Sequence, residues 1–175
     1  MKYIGFIFLI LIIASCGATR VHYNYDEAVD FSAYSTFGYY SDMDTGLSQL
    51  DEKRLMNAMD ATLQSKGFLF SEEPDMFVNV QSAILRGQSG NSVGVGLGGG
   101  GGAIGGGIAV GLPVGGPKLL RELTIDFVDV KRDVLLWQAL SESPFKEGDT
   151  PMEKQQKMKE LITKIFEKYP PKQRR

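Results

Sequence analysis

Apolar and polar residues alternate along several short segments of the chain, and this period-two pattern predicts strands that bury one side. The predicted strands are Val21–Tyr25, Tyr34–Tyr40, Met76–Leu85, Leu119–Val128 and Val134–Leu140. Polar residues at Lys131–Asp133 predict a hairpin turn between the last two strands. Within the third strand, Ile84 is expected on the same apolar face as Val78 and Val80. Alternation of this kind is typical of antiparallel strands with one face exposed to water.

Two other segments repeat their apolar residues every three to four positions, which predicts amphipathic helices. The first runs from about Asp51 to Lys66 and places Leu55, Met59 and Leu63 on one face. The second begins at the capping box Thr150-Pro151-Met152-Glu153 and ends before Pro170-Pro171. Its apolar face comprises Met158, Leu161, Ile162, Ile165, Phe166 and Tyr169. We therefore predict an α+β fold of two layers, in which a mainly antiparallel sheet carries both amphipathic helices on one face and a long glycine-rich insert interrupts one hairpin.

The first fifteen residues have the composition of a secretory signal. Lys2 precedes an apolar run from Ile4 to Ile13, and two small residues precede Cys16. This run is shorter than the roughly 20 apolar residues that cross a bilayer, so we predict a cleaved signal peptide over residues 1–15. The string Ile13-Ala14-Ser15-Cys16 resembles the lipobox of bacterial lipoproteins. The resemblance implies that Cys16 becomes the first mature residue and is acylated, with palmitate among the expected groups.

Cys16 is the only cysteine, so the chain forms no intramolecular disulfide. The alternative to lipid attachment is a buried thiol in an uncleaved segment. Several acyl chains hold a protein stably on a membrane, whereas one binds marginally. We expect residues 16–20 to be a lipidated linker, residues 21–169 a single α+β domain and residues 170–175 a basic tail.

Residues 87–117 form an insert of unusual composition, with 15 glycines in the 30 residues Gly87–Gly116 and no charged or aromatic side chain. One interpretation is a flexible loop, because ordering glycine costs much conformational entropy. A second is an extended apolar hairpin that would seek a membrane or another copy of the chain. Its candidate interaction residues are Val93, Val95, Leu97, Ile108, Val110, Leu112 and Val114. A third is close helix packing in a bilayer, which so many glycines disfavour.

Few residues are suited to catalysis or metal binding. His22 is the only histidine, so neither a Cys/His pair nor a zinc site of the usual composition can form. Two carboxylate pairs, Asp126 with Asp129 and Asp26 with Asp30, could do acid–base or calcium chemistry. Structural roles in turns are the more common use of such residues. We therefore predict no enzymatic activity and no metal site.

Charge and motifs add no ligand. The net charge of −2 argues against nucleic-acid binding, which favours a basic face. The pattern Gly94-x-Gly96-x-x-Gly99 matches a dinucleotide motif, but half of the surrounding residues are glycine and no βαβ unit follows. We predict no cofactor.

Several strings across the mature chain resemble a family of bacterial lipoproteins catalogued as domain of unknown function 4136. The strings are Tyr25-Asp26, Asp30-Phe31-Ser32-x-Tyr34-x-Thr36-Phe37, Lys66-Gly67-Phe68, Pro74-Asp75-Met76-x-Val78, Leu123-x-Ile125-Asp126-x-x-Asp129 and Leu136-Trp137. The family's glycine-rich stretch usually contains aromatic residues, which are absent here, and Gln138-Ala139 stand where a glycine often follows the tryptophan. The resemblance implies an envelope lipoprotein with an α+β domain and brings no active site.

Together these features predict a non-enzymatic lipoprotein of the outer membrane that faces the periplasm. We expect it to bind or help assemble another envelope component, through a partner protein or by self-association. The alternative is a lipoprotein that binds a small ligand or lipid in an apolar pocket. A hydrolase is a third, weaker hypothesis, because it would need a site made of carboxylates alone.

Overall fold

Six strands form one open, mostly antiparallel sheet in the computed structural model, which describes residues 19–87, 92–94, 111–113 and 118–171. In chain order the strands are β1 (Arg20–Tyr25), β2 (Thr36–Tyr39), β3 (Leu69–Phe70), β4 (Met76–Gly87), β5 (Ser92–Gly94), β6 (Gly111–Pro113), β7 (Lys118–Asp129) and β8 (Val134–Pro144). The sheet order is β1-β8-β7-β4-β2-β3, and β5 pairs with β6 separately. The helices are α1 (Gln49–Ser65) and α2 (Pro151–Ile165). The predicted α+β class and mainly antiparallel sheet are confirmed.

The apolar stripes predicted for the helices are buried against one face of the sheet. In α1, Leu55, Met59 and Leu63 are fully buried. The sheet contributes Phe37, Met76, Val78, Val80, Leu123, Ile125 and Phe127 to the same core. Burial of each large apolar side chain contributes about 1.5–3 kcal/mol, so this layer contact is the main source of stability.

An aromatic cluster fills the core where α2 ends. Trp137 of β8 stacks on Phe166 with ring centroids 5.6 Å apart, and Phe127 of β7 meets Tyr169 edge-on at 4.7 Å. Trp137 is 1% exposed. Aromatic pairs in such geometries add stability beyond their buried area, and the tryptophan serves the core rather than a surface site.

The boundaries of the helices follow local capping signals. Ser48 is the N-cap of α1, and its side chain accepts from the Asp51 N–H at 3.3 Å. Gly67 follows α1 with φ +94°, a conformation that suits glycine. The capping box at Thr150 is present as predicted. The last helix ends earlier than the prolines predict, because a 3-10 turn over Phe166–Lys168 follows Ile165.

Three features differ from the predictions. β3 has no alternating pattern and was not predicted, and β2 pairs in parallel with both β3 and β4. Ile84 is 46% exposed although it continues the apolar face of β4. Its partner across the ladder is Arg121, which contacts the first turn of α1. The helix layer of the described residues therefore ends at this level and leaves Ile84 partly exposed.

The sheet has two distinct ends. At the upper end β1 begins, β4 ends, β7 begins and β8 ends. Asp51 in the first turn of α1 contacts Arg121 near this end, while Phe166 after α2 contacts Trp137 at the opposite, lower end. Both helices therefore begin at the upper end.

Candidate functional site

The β4–β7 hairpin is the element that leaves the two-layer body of the domain. β2 covers the outer edge of β4 only over Met76–Val78. The following loop extends this cover, because the Val80 N–H donates to the Met43 sulfur at 3.2 Å and the Ser82 N–H to the Thr45 carbonyl at 2.9 Å. Beyond Ser82 the residues of β4 are exposed as far as Arg86. Beyond Ser82, no strand among the described residues pairs with the outer edge of β4.

The short strands β5 and β6 form a separate two-stranded sheet that shares the register of this hairpin. The β4–β7 ladder ends at Gly87, which pairs with Lys118. Ser92 lies five residues after Gly87, and its partner Pro113 lies five residues before Lys118. The two pairs of strands therefore have the same register.

Two of the predicted interaction residues lie in these short strands. Val93 and Leu112 are cross-strand partners in β5 and β6. The other predicted sites lie outside the described residues: Cys16, Val95, Leu97, Ile108, Val110 and Val114. The predicted signal peptide also lies outside the described range.

A buried ion cluster fastens the base of the hairpin to α1. Asp51 accepts from Arg54 Nη1 at 2.8 Å and from Arg121 Nη2 at 3.5 Å. The Arg121 guanidinium lies 4.3 Å from the centre of the Phe145 ring. Within the part of the chain that the structure describes, Arg121 Nε has no hydrogen-bond partner. This cluster connects the first turn of α1 to β7 at the upper end of the core.

Asp129, the predicted partner of Asp126, is tied into the β7–β8 turn. Its Oδ2 accepts from the Tyr34 hydroxyl at 2.6 Å and from Arg132 Nε at 2.9 Å. Its Oδ1 accepts from the backbone N–H groups of Lys131 and Arg132. The Tyr34 hydrogen bond, assisted by those of Arg132 and Lys131, lowers the pKa of Asp129 to about 2. A carboxylate with such a low pKa is a poor proton acceptor at neutral pH.

The other carboxylates named from the sequence have separate structural partners. Asp126 accepts from Gln138 Nε2 at 2.7 Å on the opposite face of the sheet from the helices. Asp26 accepts from the Ala28 N–H, and Asp30 accepts from the N–H and hydroxyl of Ser32. These last two are local Asx turns. The structure brings neither predicted pair together as a shared site.

Asp75 was noticed in the sequence only as part of a motif, yet it holds two strands together. Its Oδ2 accepts from the N–H and hydroxyl groups of both Ser35 and Thr36 at 2.8–3.1 Å. The Ser35 N–H, followed by the Thr36 hydroxyl, lowers the pKa of Asp75 below its ordinary value. The carboxylate thereby fixes the start of β2 beside the start of β4.

A groove of about 900 Å³ runs along α1 and α2 on the side away from the sheet. Its lining includes the apolar side chains of Leu50, Ala61 and Phe166 and the charged ones of Lys53 and Lys159. The lining is therefore mixed, and the core residue Phe166 forms part of it.

Two further observations limit the chemistry of the described segments. No three His, Cys, Asp or Glu side chains among them lie close enough to hold a metal ion. None of the helices in residues 19–171 that the structure describes is long and apolar enough to cross a membrane. His22 is exposed on the edge strand β1.

Sequence reasoning missed a set of exposed apolar residues at the upper end. Leu50 is 67% exposed, Met152 82%, Ile84 46% and Leu85 39%. Leu50 and Met152 each lie off the apolar stripe of their helix, which is the signal that could have identified them. Ile84 could not be recognised, because it continues a buried alternation.

Known structures resemble this fold at low sequence identity. A crystal structure of a PDZ domain protein from Parabacteroides distasonis ATCC 8503 matches with a TM-score of 0.57 and 12% identity over 94% of this chain. This chain spans only 39% of that protein. Two crystal forms of the PelC dodecamer from Paraburkholderia phytofirmans match with a TM-score of 0.49, at 10% and 9% identity, over 85% of this chain and 95% of theirs. At 12% identity the first likeness supports the fold alone, and no curated protein sequence matches this chain.

The family comparison is more specific. The profile of the family described as Domain of unknown function (DUF4136) matches residues 21–171. That range contains β1 through α2 and every string from which the family resemblance was predicted. The chain therefore belongs to the DUF4136 family.

Proposed function

We propose that this chain is a lipid-anchored, non-enzymatic protein of the bacterial outer membrane that faces the periplasm and uses the β4–β7 hairpin as its binding element. The observation that carries the proposal is the β4–β7 hairpin, which extends past the helix layer and whose register β5 and β6 share. An exposed strand edge offers unpaired N–H and C=O groups to a neighbouring component.

The composition of the hairpin supports a binding role. Ile84 and Leu85 are partly exposed where it leaves the domain, and residues 87–117 carry no charge. This segment has no charged side chain to remove from water when it meets an apolar surface. The free-energy cost of its desolvation is therefore small. Exposed apolar surface of this kind marks an interaction site.

The state of the acidic residues supports a non-enzymatic role. A general base needs a pKa near the working pH and access to a substrate. Asp129 has a pKa near 2 and is 7% exposed. Asp75 accepts four hydrogen bonds in a strand junction, and its pKa is lowered as well. Neither carboxylate has the properties of a catalytic acid or base.

The apolar-pocket alternative has less support. The interior between sheet and helices is filled by fully buried side chains, including Trp137, Phe127 and Phe166. The groove beside the helices has a mixed lining, in which Lys53, Lys159 and Glu167 lie beside apolar side chains. A bound lipid would need an apolar cavity, so its detection by native mass spectrometry of the purified full chain would favour this alternative.

The anchor is tested by expressing the full chain in a lipoprotein-processing bacterium beside Cys16→Ser. We expect the mature wild-type chain to begin at Cys16, to carry the mass of its acyl groups and to fractionate with the outer membrane. Cys16→Ser should lack that mass. An uncleaved leader could also hold this variant on a membrane, and intact mass distinguishes that case. An unacylated wild-type chain would contradict the proposal.

The binding element is tested by excising residues 88–117 and joining Gly87 to Lys118 through Asn-Gly. The trimmed chain should keep its lipid and its fold. In the Cys16→Ser background, the same excision should remove the envelope association that does not depend on lipid. The matched control keeps the insert length and replaces the seven predicted interaction residues of the insert with serine. Envelope association that is identical in the trimmed, serine-substituted and wild-type chains would show that the hairpin is not the binding element.

A further inference from the structure

We infer that the upper end of the domain lies directly on a lipid bilayer, so that the β4–β7 hairpin and the first residues of both helices contact the membrane. This inference rests on the proposed function, because it takes Cys16 as the anchor, and it names the bilayer as the component that the hairpin meets. It follows from where the strand register places the N-terminus, the hairpin and the exposed apolar residues.

The short linker brings the upper end close to the membrane. Cys16 precedes Arg20, the first residue of β1, by four residues. Four extended residues span at most about 14 Å. Arg20 pairs with Glu142 of β8 at the upper end of the sheet. An acylated Cys16 would therefore hold this end within about 14 Å of the bilayer.

The strand register gives the distance from Arg20 to the lower end of the sheet. Arg20 is level with Ala83 of β4, through the cross-strand partners Glu142 and Glu122. From Ala83 to the start of β4 at Met76 is seven residues, or roughly 24 Å of strand. With the strands upright on the membrane, the lower end therefore lies roughly 24 Å farther from the bilayer than Arg20 does.

The upper end has the apolar side chains that a bilayer contact would bury. Leu50 and Met152 project from the first turns of α1 and α2, and they are 67% and 82% exposed. Ile84 and Leu85 are 46% and 39% exposed at the base of the hairpin. Apolar residues also lie at the lower end, for example Leu69 at 65%. The anchor, rather than exposure alone, therefore selects which end meets lipid.

Two basic residues lie near the end of the β4–β7 hairpin. Arg20 and Arg86 are exposed at the upper end, where Glu122 and Glu142 lie level with Arg20. Long basic side chains near a bilayer extend towards anionic headgroups while their neighbours enter the apolar layer. The tether of at most about 14 Å between an acylated Cys16 and Arg20 makes a bilayer the occupant of this end.

Acylation modifies Cys16, the only native cysteine. A cysteine introduced elsewhere is then the single free thiol available for labelling. The acylated full chain carrying Leu50→Cys or Leu69→Cys receives a thiol-reactive fluorophore and is reconstituted in vesicles of phosphatidylethanolamine and phosphatidylglycerol with nitroxide-labelled lipid. These two positions are matched, at 67% and 65% exposed, but lie at opposite ends. We expect the label at residue 50 to lose most of its fluorescence and the label at residue 69 to keep nearly all of it. Equal quenching at both positions would overturn the inference.

A second measurement separates this inference from the anchor. The mature chain from residue 16, carrying Cys16→Ser and therefore neither leader nor acyl groups, is floated with the same vesicles, alone and with serine at Leu50, Ile84, Leu85 and Met152. The upper-end substitutions should reduce vesicle binding by at least roughly tenfold, because each removes apolar area from the contact. Matched serine substitutions at Leu69, Val134 and Leu135 should leave binding unchanged. A similar loss in both sets would overturn the membrane contact, whereas failure of acylation with selective upper-end binding would overturn the anchor alone.

Discussion

At the scale of single residues, the side chains that identify the family hold turns and strand junctions. Asp129 binds Tyr34 and Arg132, and Asp75 binds Ser35 and Thr36. Each carboxylate connects segments that are distant in sequence or closes a turn. Charge-assisted hydrogen bonds of this kind are stronger than neutral ones. The shared motif therefore specifies a fold.

Asp129→Asn should lower the free energy of unfolding at pH 7 by about 2 kcal/mol, because it removes charge-assisted hydrogen bonds. The folded state lowers the pKa of Asp129 from 3.8 to about 2. The carboxylate therefore stabilises the fold fully above about pH 4 and loses this effect as the pH falls towards about 2. Urea unfolding across this range should show a steeper loss of stability in the wild type than in the variant.

The matched control for Asp129→Asn is Glu72→Gln, which changes charge at an exposed position. Its stability should follow that of the wild type at each pH. Wild-type and Asp129→Asn curves that remain parallel between about pH 4 and pH 2 would contradict the assigned role.

At the scale of elements, the start of α2 shows how a local motif acts. The Thr150 side chain accepts from the Glu153 N–H at 3.3 Å, and Glu153 Oε2 accepts from the Thr150 N–H at 2.8 Å. These bonds satisfy two of the backbone donors that a helix start leaves unpaired. The motif needs no distant partner, which is why it could be recognised in the sequence.

Thr150→Ala should lower the free energy of unfolding by about 1 kcal/mol, because the side-chain acceptor of the N-cap is lost. Thr150→Ser retains that acceptor and should remain close to the wild type. Thermal unfolding followed by circular dichroism measures both variants. Equal losses in the serine and alanine variants would show that the hydroxyl does not cap the helix.

At the scale of the whole molecule, the helix layer is shorter than the sheet that it covers. β4 and β7 each contain 12 residues. Their buried residues Met76, Val80 and Leu123 lie under the helices, whereas Ile84 and Leu85 extend beyond them. One pair of strands thus provides both the centre of the core and an exposed hairpin.

Excision of residues 88–117, with Asn-Gly joining Gly87 to Lys118, should leave the thermal midpoint unchanged or higher. The core of the described residues already joins both helices to the sheet, and a shorter loop costs less closure entropy. Asn-Gly also suits a two-residue hairpin turn. Differential scanning calorimetry of the trimmed and wild-type chains measures the midpoint.

A core variant provides the reference for the excision. Leu123→Ala removes a fully buried side chain and should cost about 2–5 kcal/mol. A trimmed chain that is as unstable as this variant would show that the insert packs on the domain.

The local pattern of the sequence determined the two helices, the capping box of α2, the five longer strands of the sheet and the apolar stripes that enter the core. These features depend on neighbours within a few positions, since helical and strand periods place side chains on definite faces. The motif strings also predicted the family, and the profile match over residues 21–171 confirms it.

The tertiary structure decided the strand order, the parallel pairing of β2 and the end at which the helices begin. It also placed Tyr34 against Asp129, 95 residues away, and left Ile84 uncovered although its alternation is that of a buried residue. Periodicity shows which side chains share a face. Only contacts between segments distant in sequence determine what covers that face and where the cover ends.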